Sequence, residues 1–334
     1  MDYKIIEGII NSNYSLIPNN IEKIKNVYKI ECDNGMFSFK LIPYEKEHFN
    51  FILGAMEYLK LNGFNSILEI IKTNYGKKYV EYKKTYGYLT RWVEARTINY
   101  ENPCELVMAS ENLAYLHKKS KGFYIKDNMK PRIMWGMWPL NFKSKERDLL
   151  YFKKLILDKK NKTDFDFLYL SMIEEEVLRA EQSIESIIRS DYEEIMKKEV
   201  VHGGFCHHDY ANHNILKTNS GEIYIIDFDY CVLDSHIHDL ASLLLRKMKN
   251  DKWDMGDTKS ILEAYDNIYR VYDKEIHLMA CFMEFPQDFW QVGLQYYVEN
   301  QPWSEEFFNK KLNRVYNDRE LKQKFIDKFK KYEM

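Results

Sequence analysis

Residues 207–229 of the chain read HHDYANHNILKTNSGEIYIIDFD, and this stretch decides the fold. Two short apolar runs flank the turn-rich residues 219–222, a pattern that predicts a β-hairpin. Asp209 and Asn214 come before the hairpin, and Asp227 comes at its end. The stretch therefore places three oxygen-bearing side chains around one tight reversal of the chain.

The turn predicts the register of this hairpin. If Ser220-Gly221 is a two-residue loop, Asn214 lies directly across from Asp227 and both side chains point to the same face. Opposed residues have Cβ atoms roughly 4.5–5.5 Å apart, a distance at which an amide oxygen and a carboxylate can share a small hard cation. The sequence therefore predicts a magnesium site at Asn214 and Asp227. A three-residue loop would shift the register by one residue and remove this pairing.

The composition is that of a globular protein rich in tyrosine and phenylalanine. Its 334 residues, 45% of them hydrophobic, are enough for two lobes. The 49 Lys and Arg residues nearly balance 51 Asp and Glu residues, so the net charge of −2 gives no reason to expect a nucleic acid partner. The N-terminus is unlike a signal peptide and no stretch is apolar enough for a membrane helix, so we expect cytoplasmic synthesis and no membrane partner.

The first hundred residues are predicted to form a small sheet lobe. Residues 27–42 are typical of a hairpin that turns at Asp33-Asn34-Gly35. Strand alternation places Lys40 as a charge on an otherwise apolar strand. A helix is predicted over residues 45–62, with Gly63 as its C-cap. Further strands are predicted over residues 76–83 and 86–92.

After residue 98 the pattern changes to long helical periods. We therefore predict an α+β fold whose second part is mainly helical. The predicted helices cover residues 103–119, 145–160, 163–190, 190–199, 236–250, 257–270, 275–299 and 304–331.

A strand lysine in a sheet lobe, followed by H-x-D-x-x-x-x-N and D-x-D in a helical lobe, resembles the kinase-like fold of aminoglycoside phosphotransferases and choline kinases. Residues 113–117 (LAYLH) are similar to that superfamily's L-A-x-L-H helix, and residues 238–241 (HDLA) to its D-L-A segment. The acidic third residue of Asp227-Phe228-Asp229 is typical of small-molecule kinases, whereas protein kinases usually have glycine there. The match covers nearly the whole chain.

The resemblance implies a bilobal, protein-kinase-like fold. Residues 1–96 would form the nucleotide-binding lobe, with a connector at about 90–98, and residues 97–334 would form the helical catalytic and substrate lobe. Finer motifs resemble the CotS-type spore-coat proteins of endospore-forming bacteria, which implies deposition in the spore coat beside other coat proteins. These motifs are CHHDYA (206–211), YLTRWVEAR (88–96), KGF (121–123) and FPQDFW (285–290).

Carried over residue by residue, the resemblance makes Asp209 the catalytic carboxylate, which orients an acceptor hydroxyl and accepts its proton. Asn214 and Asp227 become magnesium ligands, and Lys40 binds the phosphates of ATP or GTP. These roles fit phosphoryl transfer, which needs oxygen ligands for a metal, a cation on the phosphates and one aligning carboxylate. The other residues implied are Arg91, Trp92 and Val93 at the adenine, and His207, Asp229 and Asp239 as supports of the site.

Two parts of the superfamily pattern differ in this chain. Residues 16–26, where a glycine-rich loop would cover the phosphates, contain no glycine. The helix glutamate expected to pair with Lys40 is Glu47 or Glu57, which flank the expected position. Both departures bear on whether the site is active.

Two functions remain open at this point. The leading one is an ATP- and magnesium-dependent phosphotransferase that acts on a hydroxyl of an unknown small molecule or glycan precursor. The alternative is a catalytically silent kinase fold that serves as a structural part of the spore coat. A third interpretation, a metal-dependent phosphohydrolase with His117, His208, Asp209 and Asp239 as ligands in an all-helical fold, fails on the intervening β-hairpin and leaves Asn214 and Asp227 unexplained.

Overall fold

The computed structural model describes residues 3–334 and divides them into two compact units. The first unit comprises the chain up to Ile133 and Gly203–Leu233, and the second comprises Met134–His202 and Asp234–Met334. The lobe boundary at residue 96 stays a prediction. None of the helices found between residues 3 and 334 combines the length and the apolar character that crossing a membrane requires.

The first unit carries both sheets. Its strands form one antiparallel sheet in the order β1-β2-β3-β6-β4, with β5 paired to β6, and a second sheet in the order β7-β8-β9. Its elements are α1 (Tyr3–Tyr14), β1 (Pro18–Ile24), β2 (Val27–Cys32), β3 (Gly35–Ile42), α2 (Lys46–Leu61), β4 (Ile70–Ile71), β5 (Val80–Tyr82), β6 (Thr85–Arg91), β7 (Ala95–Thr97), α3 (Pro103–Ser120), β8 (Ile215–Thr218) and β9 (Ile223–Ile225).

The sheet lobe is built on strand alternation, as the sequence predicts. Phe37 and Phe39 of β3 are buried in an apolar cluster with Ile6 and Ile10 of α1. Helix α1 was not predicted from the sequence. Helix α2 ends where expected: Gly63 has a φ of +77°, and the N–H of Phe64 donates to the carbonyl of Leu59 at 2.9 Å.

The predicted register of the β8–β9 hairpin is wrong by one residue. Leu216 pairs with Tyr224, so the loop has three residues and Asn214 lies across from Ile226 rather than Asp227. The cause is Gly221, whose φ of +92° completes a three-residue turn. Thr218 stabilises this turn, because its hydroxyl accepts the N–H of Glu222 at 3.0 Å.

The second unit consists of helices. The predicted helix over 275–299 is interrupted, because Pro286 cannot donate a backbone hydrogen bond and its ring clashes with the preceding turn. Aromatic stacking fills the core, with ring centroids 4.1 Å apart for Phe142 and Phe285 and for Tyr169 and Phe289. Its elements are α4 (Trp138–Leu157), α5 (Asp164–Arg189), α6 (Tyr192–His202), α7 (His236–Met248), α8 (Met255–Asp266), α9 (Asp273–Glu284), α10 (Gln287–Tyr297) and α11 (Glu305–Phe329).

Glu105 of α3 joins three parts of the first unit. Its carboxylate accepts Nη1 and Nη2 of Arg96 on β7, Nζ of Lys217 on β8 at 3.1 Å, and the N–H of Asn99 at 2.8 Å. Only 2% of Glu105 is exposed. The hydrogen bond from Arg96 is the main reason why the pKa of Glu105 falls to about 2. The hairpin that follows Asn214 is thereby anchored to α3.

Replacing Glu105 with Gln is expected to lower the free energy of unfolding at neutral pH by on the order of 2 kcal/mol, because charged hydrogen bonds are lost. Glu105 stabilises the fold above its unfolded pKa of 4.5 and loses this effect as the pH falls towards 2. Urea titrations across this range should show wild type and variant converging at low pH. Glu111→Gln on the same helix is the control, and equal effects of the two changes would contradict the assigned role.

Candidate active site

Lys40 is the buried cation of the site. It is 5% exposed on β3, and its Nζ lies 2.6 Å from Oδ1 of Asp227 and 2.7 Å from Oδ1 of Asp229. The expected pairing with Glu47 or Glu57 is not found, and Glu57 pairs with Lys78 instead. Lys40 is therefore held by Asp227 and Asp229, the two carboxylates of the segment that follows β9.

The charges in this triad shift one another's pKa. Burial alone would lower the pKa of Lys40, but Tyr88, Asp229 and Asp227 together raise it. Burial raises the pKa of Asp227, yet the charge and hydrogen bond of Lys40 outweigh this and lower it. For Asp229, burial dominates and its pKa is raised, with the neighbouring charge of Asp227 adding to the effect. Lys40 is therefore held in its charged form.

His207 links the segment that carries Asp209 to the segment that precedes Asp227. The backbone N–H of Asp209 donates to its Nδ1 at 3.3 Å, and the carbonyl of Ile226 lies 3.0 Å from its Nε2. Because an N–H can only donate and a carbonyl can only accept, the ring is the neutral tautomer with its hydrogen on Nε2. The ring thus ties Asp209 to the residue that precedes Asp227.

Asn214 is oriented by Asp209. Its Nδ2 donates to Oδ2 and to the backbone oxygen of Asp209, each at 2.9 Å, and the residue is 2% exposed. The amide nitrogen therefore faces Asp209, and Oδ1 is the atom that can serve a cation. An amide oxygen and the Asp227 carboxylate form an all-oxygen donor set, which suits magnesium better than zinc.

Asp227 has a left-handed backbone, with φ +69° and ψ +58°. A left-handed backbone costs most L-residues about 1–2 kcal/mol, and aspartate is among the residues that adopt it more readily. It lies two residues after the end of β9 and directly before a 3₁₀ turn over Phe228–Tyr230. Although Asn214 and Asp227 are not opposed in the hairpin, both side chains line one cavity.

That cavity belongs to the first unit and has a volume of about 410 Å³. Lys40, Asn214 and Asp227 line it together, and the connector residues Arg91, Trp92 and Val93 do so as well. The size lies in the range of small-ligand sites. Its apolar walls include Val27, Met56, Leu68, Leu216, Ile225, Ile226 and Phe228.

The connector offers a limited set of backbone groups to the cavity. The N–H of Trp92 is already bonded to the carbonyl of Met36 at 2.9 Å. The indole of Trp92 donates to Glu94 at 2.9 Å and lies under Lys29, whose Nζ is 4.9 Å from the ring centroid. Within residues 3–334, the N–H of Val93 makes no backbone hydrogen bond. Val93 is therefore the connector residue best placed to bond a ligand.

Sequence reasoning missed two contacts of this site. Tyr88 lies directly across from Lys40 in the sheet, a pairing that requires the β3–β6 register. Asn26, in the turn between β1 and β2, donates a side-chain hydrogen bond that helps to lower the pKa of Asp227, after the larger effects of burial and Lys40. An asparagine at a hairpin tip is a possible signal, but turn preference explains it equally well.

Asp239 lies in the second unit. It is fully buried in the first turn of α7, and its Oδ1 is 3.6 Å from Nδ1 of His238. Its support of the catalytic loop stays a prediction.

Comparison with known proteins identifies the family. The family described as "Spore coat putative kinase YutH" matches residues 7–329. The chain belongs to this family. It is also 24% identical over 332 residues to spore coat protein S of Bacillus subtilis strain 168, covering 96% of this chain and 94% of that protein. The resemblance to spore-coat proteins is thereby confirmed.

Solved structures show how this member of the spore-coat kinase family folds. An aminoglycoside phosphotransferase from Alicyclobacillus acidocaldarius has a TM-score of 0.84 at 21% identity, with 97% of this chain and 95% of that chain covered. Spectinomycin phosphotransferase has a TM-score of 0.68 at 15% identity, covering 97% and 98%. Choline kinase from Cryptosporidium parvum has a TM-score of 0.55 at 14% identity, with 98% of this chain and 97% of that chain covered. The predicted fold class is confirmed.

Replacing Lys40 with Met in this spore-coat kinase relative leaves two adjacent carboxylates without their cation. We expect a loss of on the order of 3 kcal/mol in the free energy of unfolding at neutral pH. Without the cation, the pKa of both carboxylates rises, protonation favours the folded state, and the loss should shrink as the pH is lowered to about 5. Urea unfolding at both pH values measures this.

Lys29→Met is the matched control. Lys29 lies on the neighbouring strand and forms a more exposed ion pair with Glu94 at 3.3 Å, so its loss should cost under ~1 kcal/mol. Equal losses for the two variants, with no dependence on pH, would show that the triad does not hold the sheet to the segment after β9.

Proposed function

We propose that this protein is a magnesium-dependent phosphotransferase. It transfers the γ-phosphate of ATP or GTP to a hydroxyl group of a small molecule or glycan precursor. The observation that carries the proposal is one cavity lined by Lys40, Asn214 and Asp227, with Asp209 hydrogen-bonded to Asn214. Phosphoryl transfer requires these groups: a phosphate cation, oxygen ligands for a metal and an aligning carboxylate.

Asp209 acts on the acceptor. The carboxylate of Asp209, which also accepts a hydrogen bond from Asn214, accepts the hydrogen of the acceptor hydroxyl and aims the hydroxyl oxygen at phosphorus. The new oxygen–phosphorus bond forms as the bond from the γ-phosphorus to the bridging oxygen breaks. Asp209 takes the hydroxyl proton, and the nucleoside diphosphate leaves.

Lys40, Asn214 and Asp227 act on the phosphates. Lys40 neutralises charge on the nucleotide from β3, while Asn214 Oδ1 and Asp227 would hold the magnesium ion. When bound, this ion neutralises the charge that develops on the transferred group. The nucleotide base packs between the apolar walls of the cavity and bonds the N–H of Val93.

Structures with this fold support the choice of ligands. Spectinomycin phosphotransferase is described in complex with ADP and spectinomycin, and amicoumacin kinase in complex with AMP-PNP, Ca²⁺ and Ami. Both bind a nucleotide with the same overall fold. The family name and spore coat protein S support a place in the spore coat, beside other coat proteins.

A silent coat component is the second candidate. Two observations favour it: the turn between β1 and β2 contains no glycine, and Lys40 is engaged by two carboxylates. A protein of this kind would keep the fold without binding nucleotide. The two candidates therefore differ first in nucleotide affinity.

Calorimetric titration with ATP and magnesium tests the proposal. Wild type is expected to bind, and Asp227→Ala is expected to bind at least about tenfold more weakly because one metal ligand is lost. At 100 times its dissociation constant the nucleotide should stabilise the fold by ~2.7 kcal/mol, which a thermal shift detects. Absence of binding to both ATP and GTP would favour the silent coat component.

Asp209→Asn separates chemistry from binding. The variant should keep its affinity for magnesium ATP but lose transfer by a factor of about 10² to 10⁴. Transfer is measured with radiolabelled ATP against amino sugars, choline-like alcohols and glycans. Undiminished transfer by Asp209→Asn would remove Asp209 from its assigned role.

A further inference from the structure

The turn between β1 and β2 has an unusual backbone for its residues. Ile24 pairs with Val27, so Lys25 and Asn26 form a two-residue loop. Lys25 has a φ of +53°, a left-handed conformation that glycine adopts without strain and lysine does not. A lysine at this position carries a side chain where a glycine would have none.

The tip of this turn lies at the proposed phosphate site. Lys25 and Asn26 line the same cavity as Lys40, Asn214 and Asp227. Asn26 is near enough to Asp227 to help lower the pKa of that carboxyl, after the larger effects of burial, Lys40 and His207. The turn therefore lies close to the group that would bind the metal.

Lys25 and Lys40 differ in their partners. Lys40 is buried and shared between Asp227 and Asp229. Lys25 is exposed, and no acidic side chain among residues 3–334 forms an ion pair with it. Of the two lysines that line the cavity, Lys25 is the one whose charge is not already balanced by a carboxylate.

We propose that Lys25 is a second phosphate-binding cation, which replaces with its side chain the backbone contacts that a glycine-rich loop makes. This inference rests on the proposed function and adds a residue to its nucleotide site. A side chain on the turn hinders close backbone approach to a phosphate, but a lysine can reach the phosphate as a mobile point charge.

A charge that acts on the phosphates has a specific signature. Its contribution to affinity should grow with the number of phosphates, because each adds negative charge within reach. The affinity for AMP should depend little on Lys25, and the affinity for ATP should depend on it most. The effect should also weaken at high salt, because the Lys25 ammonium is exposed.

The chain offers a matched control in Lys83. It is also a lysine with a left-handed backbone, at φ +56°, in a two-residue turn between the paired residues Tyr82 and Thr85. It belongs to the same sheet but is absent from the cavity lining. Lys25→Gly and Lys83→Gly therefore change charge and backbone strain equally, and only one of them alters the proposed site.

The experiment is calorimetric titration of wild type, Lys25→Gly, Lys83→Gly and Lys25→Arg with AMP, ADP and ATP in the presence of magnesium. We expect Lys25→Gly to weaken ATP binding about tenfold while AMP binding changes less than about twofold. Lys83→Gly should stay within about twofold for all three nucleotides, and Lys25→Arg should restore ATP affinity. Thermal melting without nucleotide should show both glycine variants folded as stably as wild type.

The outcomes separate the two proposals. If wild type binds ATP but Lys25→Gly and Lys83→Gly have equal affinities, the role of Lys25 is wrong and the nucleotide site stands. A loss by Lys25→Gly that is equal for AMP and ATP also overturns the role, because it reports the shape of the turn rather than its charge. If wild type binds none of the nucleotides, the proposed function fails and this inference fails with it.

Discussion

The ion-pair triad of Lys40, Asp227 and Asp229 is the interaction on which the site depends. A lysine that is 5% exposed needs counter-charges, since an unpaired buried ammonium is costly. Both counter-charges come from the segment after β9, so satisfying the lysine also joins the sheet to that segment. The ion pair and the proposed metal site share Asp227, which means that the same carboxylate has a structural and a chemical use.

Around this triad, hydrogen bonds fix the orientation of each functional side chain. The tautomer of His207 follows from its two backbone partners, and the amide of Asn214 is turned by Asp209. Orientation of this kind matters for phosphoryl transfer, in which the protein contributes mainly positioning and charge. The site is therefore ordered by side-chain ion pairs together with hydrogen bonds to the backbone.

The sequence predicts which residues form the site better than it predicts how they meet. The spacing from Asp209 to Asn214 and the position of Lys40 on a strand are local patterns. The structure places Lys40 and Asn214 at one cavity, with Asp209 hydrogen-bonded to Asn214. The register of the β8–β9 hairpin depends on whether the loop has two residues or three. Both loop lengths are common in hairpins, so the sequence alone does not decide between them. The partners of Lys40 depend on contacts across 187 residues, which no local pattern encodes.

The division of the chain into units has a consequence for folding. The unit that holds the cavity is discontinuous, because Met134–His202 of the other unit separates its two segments. Closing so long a loop carries an entropic cost and slows the formation of distant contacts. During synthesis, Lys40 emerges from the ribosome well before Asp227 and Asp229. It therefore has neither of these counter-charges until both residues have been made. The proposed nucleotide site therefore cannot form before Asp227 and Asp229 have been made, and a fragment that ends at Ile133 lacks it although it contains every strand of the six-stranded sheet.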